Sequence, residues 1–246
     1  NQACLDHIFN GKLSSCLVNP RACEETLIII EPTEAKKTIT IVGAGPAGLA
    51  CAITAAERGH NVTLYDAGSE IGGQFNIAKR IPGKEEFFET LRYFSVRLKE
   101  LNVDVKLNTR LTTQQLNQMQ VDELVLATGV SPRDLDLPGH DHAKVINYLD
   151  VIKGAEVGKK VAIIGAGGIG FDVAEFLTHG NSEPSKNIAQ FMSQWGIDMT
   201  MQARGGVAEM PQNIEASPRK IHLLQRKTSK VGAGLGKTTG WVHRTG

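Results

Sequence analysis

Six glycines fall in two triplets of identical spacing: Gly43, Gly45 and Gly48 in GAGPAG, and Gly165, Gly167 and Gly170 in GAGGIG. Each triplet directly follows a short run of β-branched and aliphatic residues, TITIV and KVAII, and opens a segment of helix-forming composition. The chemistry suited to this pattern is the holding of a dinucleotide pyrophosphate. The first glycine permits a tight turn out of a strand. The second lets a phosphate approach the backbone, and the third lets the helix pack closely on the strand. The helix start then offers unpaired N–H groups and the positive end of its dipole. Glycine spacing alone is a weak signal, so the flanking elements have to carry the assignment.

Those elements are present in the required order. In the first copy a strand is expected from Thr38 to Val42 and a helix from about Pro46 to Arg58, with Pro46 and Ala47 completing the fingerprint and Gly59 as its stop. A second strand runs from Asn61 to Tyr65 and ends in Asp66, 23 residues after Gly43. A carboxylate there accepts hydrogen bonds from an adenosine ribose. In the second copy the strand spans Lys160 to Ile164 and the helix reaches about Leu177. Its partner strand, Lys220 to Gln225, is delayed by about forty residues rich in Gly, Ser, Pro and Gln, with a short helix expected near Ile188 to Trp195. Where the first copy has Asp66 the second has Gln225, then Arg226 and Lys227. Aspartate repels a ribose 2′-phosphate, whereas an amide with two cations favours it. The first site therefore suits the unphosphorylated ribose of FAD and the second suits NADPH over NADH. A solvated basic turn is the competing reading of Arg226 and Lys227.

Other segments fit between these two frames. Gly72, Gly73 and Gln74 follow the Asp66 strand closely enough for their backbone to reach the pyrophosphate or ribityl chain of a flavin. A strand from Asp122 to Ala127 ends in Thr128 and Gly129, small residues that let the chain pass near a cofactor. Ala143 to Val151 is expected to link the domains. GAGLGKTTGW resembles a phosphate-binding loop, but the position five before Gly236 is Val231 rather than glycine, so an independent ATP site is not expected. Lys237 and Trp241 are placed instead on the nicotinamide side or at a domain contact.

Composition narrows the classes further. Formal charge is +1 and 41% of residues are apolar, so no bulk field draws the chain to nucleic acid or membrane. Residues 1–20 lack a secretory pattern, and no apolar run reaches the ~18 residues that span a bilayer, which points to a cytoplasmic protein. In that compartment four cysteines are thiols or metal ligands rather than disulfides. Cys23 and Cys51 have bland readings, the latter inside a packed helix. For Cys4 and Cys16, ligation and a structural role are equally open on residue type alone. The seven histidines show no metal-site spacing, and no nucleophile–base pair is evident.

An FAD-type fingerprint, then ATG, then an NADPH-type fingerprint resembles the pyridine nucleotide–flavin reductase architecture. CLVNPRAC, GHNVTLYDAGSEIGGQFNIAKRIPGKEEF, IIGAGGIGFDVAEFL and GLGKTTGWVHRT are more specific and together span nearly the whole chain. They resemble the bacterial NADPH-dependent 2,4-dienoyl-CoA reductases, iron–sulfur flavoproteins of the old yellow enzyme-like and trimethylamine dehydrogenase group. That resemblance implies an α/β protein with two Rossmann-like dinucleotide-binding domains: a partial iron–sulfur segment over 1–36, an FAD domain over 37–142 and an incomplete NADPH domain over 143–246. The family binds a 4Fe-4S cluster with C-x2-C-x3-C-x11-C. Cys4 and Cys16, with eleven residues between them, match its third and fourth cysteines. The chain is thus expected to be an internal fragment, starting just after the first pair and lacking an FMN-bearing (β/α)8 barrel and a C-terminal part. Gln2, Arg80 and Leu111 complete the candidate cofactor-binding set.

The resemblance implies that electrons from NADPH pass through FAD and the cluster to FMN, for reduction of a fatty dienoyl-CoA outside this chain. The partners implied are small-molecule cofactors and, in the longer protein, a fatty acyl-CoA. Related layouts compete with this reading. Arg226 and Lys227 argue against a trimethylamine dehydrogenase-like domain that keeps only ADP. The Cys4–Cys16 spacing argues against a glutamate synthase small-subunit-like protein. A nucleotide-binding module without turnover is the rival from another class.

Overall fold

The computed structural model describes residues 3–16, 19–133, 136–180, 186–238 and 240–245. The chain forms two compact units. One comprises Asn1–Lys79 with Lys84–Val145, and the other Arg80–Gly83 with Ile146–Gly246.

The first unit opens with α1 (Ala3–Phe9), then β1 (Thr38–Val42), α2 (Pro46–Glu57) and β2 (Asn61–Tyr65). It continues through α3 (Phe75–Ala78), α4 (Phe87–Glu100), β3 (Asp104–Lys106), α5 (Thr113–Gln118) and β4 (Glu123–Leu126). The strands form one parallel sheet in the order β3-β2-β1-β4. Parallel neighbours need a crossover, and α2 supplies it between β1 and β2. The β-branched residues of β1 suit a central strand covered by packed side chains. Ile39, Thr40 and Ile41 are all buried there, Thr40 as the one buried polar side chain among the described residues. Gly48, Leu49, Ala52 and Ile53 form the buried face of α2, where two small residues one turn apart bring the helix axis close to the sheet. With Val62 and Leu64 of β2 and Leu98 of α4 they make the core. Arg97 of α4 ties that helix to α2, with Nη2 2.7 Å from Glu57 and Nη1 2.6 Å from Glu100.

The second unit contains α6 (Tyr148–Lys153), β5 (Lys160–Ile164), α7 (Gly168–Thr178), α8 (Ile188–Gln194), β6 (Lys220–Leu224) and α9 (Val242–Thr245). β5 and β6 pair in parallel as a two-stranded sheet. Val151 and Ile152 of α6 are buried, as are Val173 and Leu177, one turn apart on α7. The stretch expected to be a linker, 143–151, is therefore partly structured. Asn147 caps α6 by accepting the Leu149 N–H at 2.9 Å, and Gly154 closes it with φ 107°. Tyr148 to Val151 are helical because the apolar side chains of Val151 and Ile152 have a buried face to fill. Among the described residues no helix is long and apolar enough to cross a membrane.

Candidate cofactor-binding sites

Register brings the predicted residues of the first copy to one end of its sheet. Val42 pairs with Tyr65 and with Leu126, so β1, β2 and β4 finish at the same level. Gly43, Asp66 and the Thr128–Gly129 segment follow at that edge, the carboxyl end where ligands of open parallel sheets sit. Gly43 turns out of the strand at φ 109°, and a Cβ there would lie 2.2 Å from the Ala127 carbonyl oxygen. A Cβ at Gly48 would fall 1.8 Å from the Gly43 carbonyl oxygen. Both glycines are thus demanded by the protein itself.

Gly45 is different. It starts α2 with ordinary extended backbone, φ −75° and ψ 178°, and a Cβ there would meet nothing within 4 Å. Nothing in the chain requires glycine at that position. A phosphate pressed against the helix start does require it, and the open space fits that group. Pro46, lacking an N–H, occupies the first helical position, with Ala47 after it. Gly73 lines the same opening, because a Cβ on it would come within 3.0 Å of the Gly45 Cα. The Gly72 N–H donates to the Ala44 carbonyl at 2.7 Å and holds that loop in place.

Asp66 is half-buried. Its Oδ2 accepts the Ala44 N–H and its Oδ1 the Gly68 N–H, both at 2.6 Å. Each carboxylate oxygen has a further lone pair available to a hydroxyl. Gln74 does more than lend its backbone: its Nε2 donates to the Val130 carbonyl at 3.0 Å, joining its loop to the one after Gly129. Leu111 is half-buried just before the Thr112–Gln115 capping box of α5. Arg80 belongs to the second unit, where Nη1 lies 3.4 Å from the Ile152 carbonyl. Gln2 lies outside the described residues.

The second copy repeats the local geometry. Ile164 pairs with Leu224, which sets Gly165 and Gln225 side by side, and the Gly165 N–H donates to Leu224 at 2.9 Å. A Cβ at Gly170 would lie 1.9 Å from the Gly165 carbonyl oxygen, while one at Gly167 would meet only open space. Arg226 and Lys227 are exposed beyond the end of β6. The Gln225 amide donates to the Lys227 carbonyl at 2.9 Å and to the Ser229 carbonyl. Farther on, Gly232 turns at φ 76° against Phe171, the residue after Gly170. Trp241 meets Trp195 edge-on, with ring centroids 5.9 Å apart. The sequence held signals for the glycines and the strand ends. It held none for the Gly232–Phe171 packing, which joins residues far apart in the chain.

Cys4 lies on α1 and Cys16 in the following loop, both half-buried thiols. Among the described residues no group of three or more His, Cys, Asp or Glu side chains is assembled around a metal position. Burial pushes the Cys51 thiol up from its ordinary value, away from thiolate chemistry. Cys23 is exposed.

Comparison with known proteins agrees with this geometry. The pyridine nucleotide-disulphide oxidoreductase family matches residues 37–209. A metal reductase of Desulforamulus reducens is 30% identical over 98% of the chain and 36% of its own length. A cinnamate reductase of Clostridium sporogenes is 35% identical over 74% of the chain and 27% of its own length. The structure of a 2-naphthoyl-CoA reductase complexed with 2-naphthoyl-CoA superposes with a TM-score of 0.78 and 27% identity, covering 100% of this chain and 32% of that one. The chain spans about a third of the length of these relatives. It belongs to the pyridine nucleotide-disulphide oxidoreductase family, as an α/β domain that binds a flavin and a pyridine nucleotide.

Proposed function

We propose that this chain is the electron-entry part of a longer NADPH-dependent 2,4-dienoyl-CoA reductase, holding FAD in the first cradle and NADPH in the second. One observation carries the reading. Two cradles of the same local geometry end in residues of opposite character: Asp66 beside Gly43, and Gln225 with Arg226 and Lys227 beside Gly165. When bound, the flavin supplies the chemistry that accepts a hydride from reduced pyridine nucleotide and passes electrons on singly. The chain's own residues hold and select. N–H groups at the starts of α2 and α7 face the pyrophosphates, and Asp66 accepts the ribose hydroxyls of FAD. Gln74 keeps the loops at Gly73 and Gly129 together along the flavin, while Arg226 and Lys227 receive the 2′-phosphate of NADPH.

The remaining parts belong to the longer protein. Cys4 and Cys16 are two of four thiolate ligands to a 4Fe-4S cluster. Two thiolates do not complete such a site. FMN and the acyl-CoA site lie outside these 246 residues. Relatives named for the reduction of metal and of cinnamate both match this chain, which fits a shared donor-side domain serving different acceptors. The match to a 2-naphthoyl-CoA reductase supports an acyl-CoA acceptor. The test is anaerobic stopped-flow absorbance of the FAD-loaded chain. Bleaching by NADPH faster than by NADH supports the reading. Equal rates remove the NADPH assignment, and failure to retain flavin removes the first-site assignment.

A further inference from the structure

The residue just after the second strand shapes its turn in opposite ways in the two copies. In the first, Asp66 accepts backbone N–H groups from Ala44 and Gly68. In the second, Gln225 donates to the carbonyls of Lys227 and Ser229. A primary amide nitrogen carries two hydrogens, so both are engaged. The two carbonyl oxygens therefore face the Gln225 amide, and the turn folds back over it. An outward carbonyl would set a negative dipole beside an arriving phosphate. With both held by the amide, the exposed surface of the turn is left to side chains, the cations Arg226 and Lys227 among them.

We propose that Gln225 is a positioning residue that fixes the 226–229 turn, and so gives the second site its preference for a 2′-phosphorylated adenosine. This rests on the reading of that site as an NADPH site. Glutamate has the same shape but no donor, and its carboxylate would confront both carbonyls. The Asp66-to-Gln225 difference is then more than the loss of a repelling charge. It reverses the hydrogen-bond polarity on which the turn is built.

The experiment titrates the full chain with adenosine 2′,5′-bisphosphate and with 5′-AMP, which differ only in the 2′-phosphate. Wild type should bind the bisphosphate more tightly. Gln225→Ala should lose about tenfold in bisphosphate affinity while 5′-AMP affinity stays within about twofold, because charge-assisted contacts to the phosphate are what the turn supplies. Gln225→Glu should lose at least as much. The 31P resonance of the bound 2′-phosphate should titrate at lower pH in wild type than in Gln225→Ala, since well-placed cations favour the doubly ionised form. Unchanged 5′-AMP affinity reports an intact cradle, so a folding defect is distinguished from a misplaced turn. Full retention of the preference in Gln225→Ala, with its loss in an Arg226→Ala/Lys227→Ala double variant, overturns the role of Gln225. No preference in wild type overturns the NADPH reading, and this proposal with it.

Discussion

Around the first glycine triplet, Ile41 and Leu64 are 0% exposed. Around the second, Ile164 and Leu224 at the strand ends are 61% and 50% exposed. β1 has a neighbour on each side, whereas among the described residues β5 is paired only with β6. Yet the inner geometry is the same, with the third glycine's missing Cβ leaving room for the first glycine's carbonyl in both copies. The cradle is thus a local device of strand, turn and helix. The layers around it set how firmly it is held, and on the proposed reading the residue just after the next strand sets what it accepts.

This comparison is broken most sharply by Gly48→Ala and Gly170→Ala. Each Cβ would meet a backbone carbonyl under 2 Å away. Backbone must move in either case, at a cost of about 3 kcal/mol or more. Both tryptophans lie in the second unit, so their fluorescence follows that unit selectively. In urea, Gly48→Ala should shift the circular dichroism transition and spare the fluorescence one. Gly170→Ala should shift the fluorescence transition. A Gly48→Ala effect seen equally by both probes would contradict unit-local cradles.

Next in size is burial at equivalent strand positions. Ile41→Ala deletes a fully buried side chain and should cost about 4 kcal/mol, whereas Ile163→Ala, half-buried in the second sheet, should cost about half of that. Denaturant midpoints at constant slope would check the ratio. Asp66→Asn keeps the shape and removes the charge. It should weaken FAD by about tenfold in fluorescence-quenching titrations and leave adenosine 2′,5′-bisphosphate binding unchanged.

Most of this contrast was legible before any coordinates. TITIV-GAGPAG and KVAII-GAGGIG announce strand, turn and helix, and strand register then follows from parallel pairing. The helix of the first copy ends at Glu57 with Arg58 as its cap and Gly59 at φ 91°, within a residue of expectation. The segment 75–120 offered candidate residues but no expected helix or strand, although it holds α3, α4, β3 and α5. β3 is only three residues long, and the alternation that marks a strand needs more. The amphipathic stripe of α4 buries just Leu91 and Leu98, too few to dominate a sequence of mixed charge. The side-chain roles of Gln74 and Gln225 were illegible for another reason: both bond backbone carbonyls, which carry no sequence signature.

The smallest effect concerns the insertion that only the second copy carries. Thr200 Oγ1 donates to Asp198 at 2.6 Å, and the N–H groups of Ala203, Thr200 and Gln202 donate to the same carboxylate. The Thr200 hydroxyl first, then these backbone donors, lower its pKa to about 2. A depressed carboxylate stabilises the loop above the ordinary range, and the contribution is lost as pH falls from ~4 through its folded value. Amide shifts of Thr200 and Ala203 should therefore titrate near pH 2. A midpoint near 4 would mean that the bonds do not persist in solution.

The most direct measurement is calorimetric titration of NADP+ into the chain already saturated with FAD. Two separate cradles with different strand-end residues predict one equivalent of NADP+ bound without displacing flavin, and an NADP+ affinity unaltered by Asp66→Asn. Displacement of FAD by NADP+, or a common loss of both in Asp66→Asn, would contradict the division of labour between the two copies.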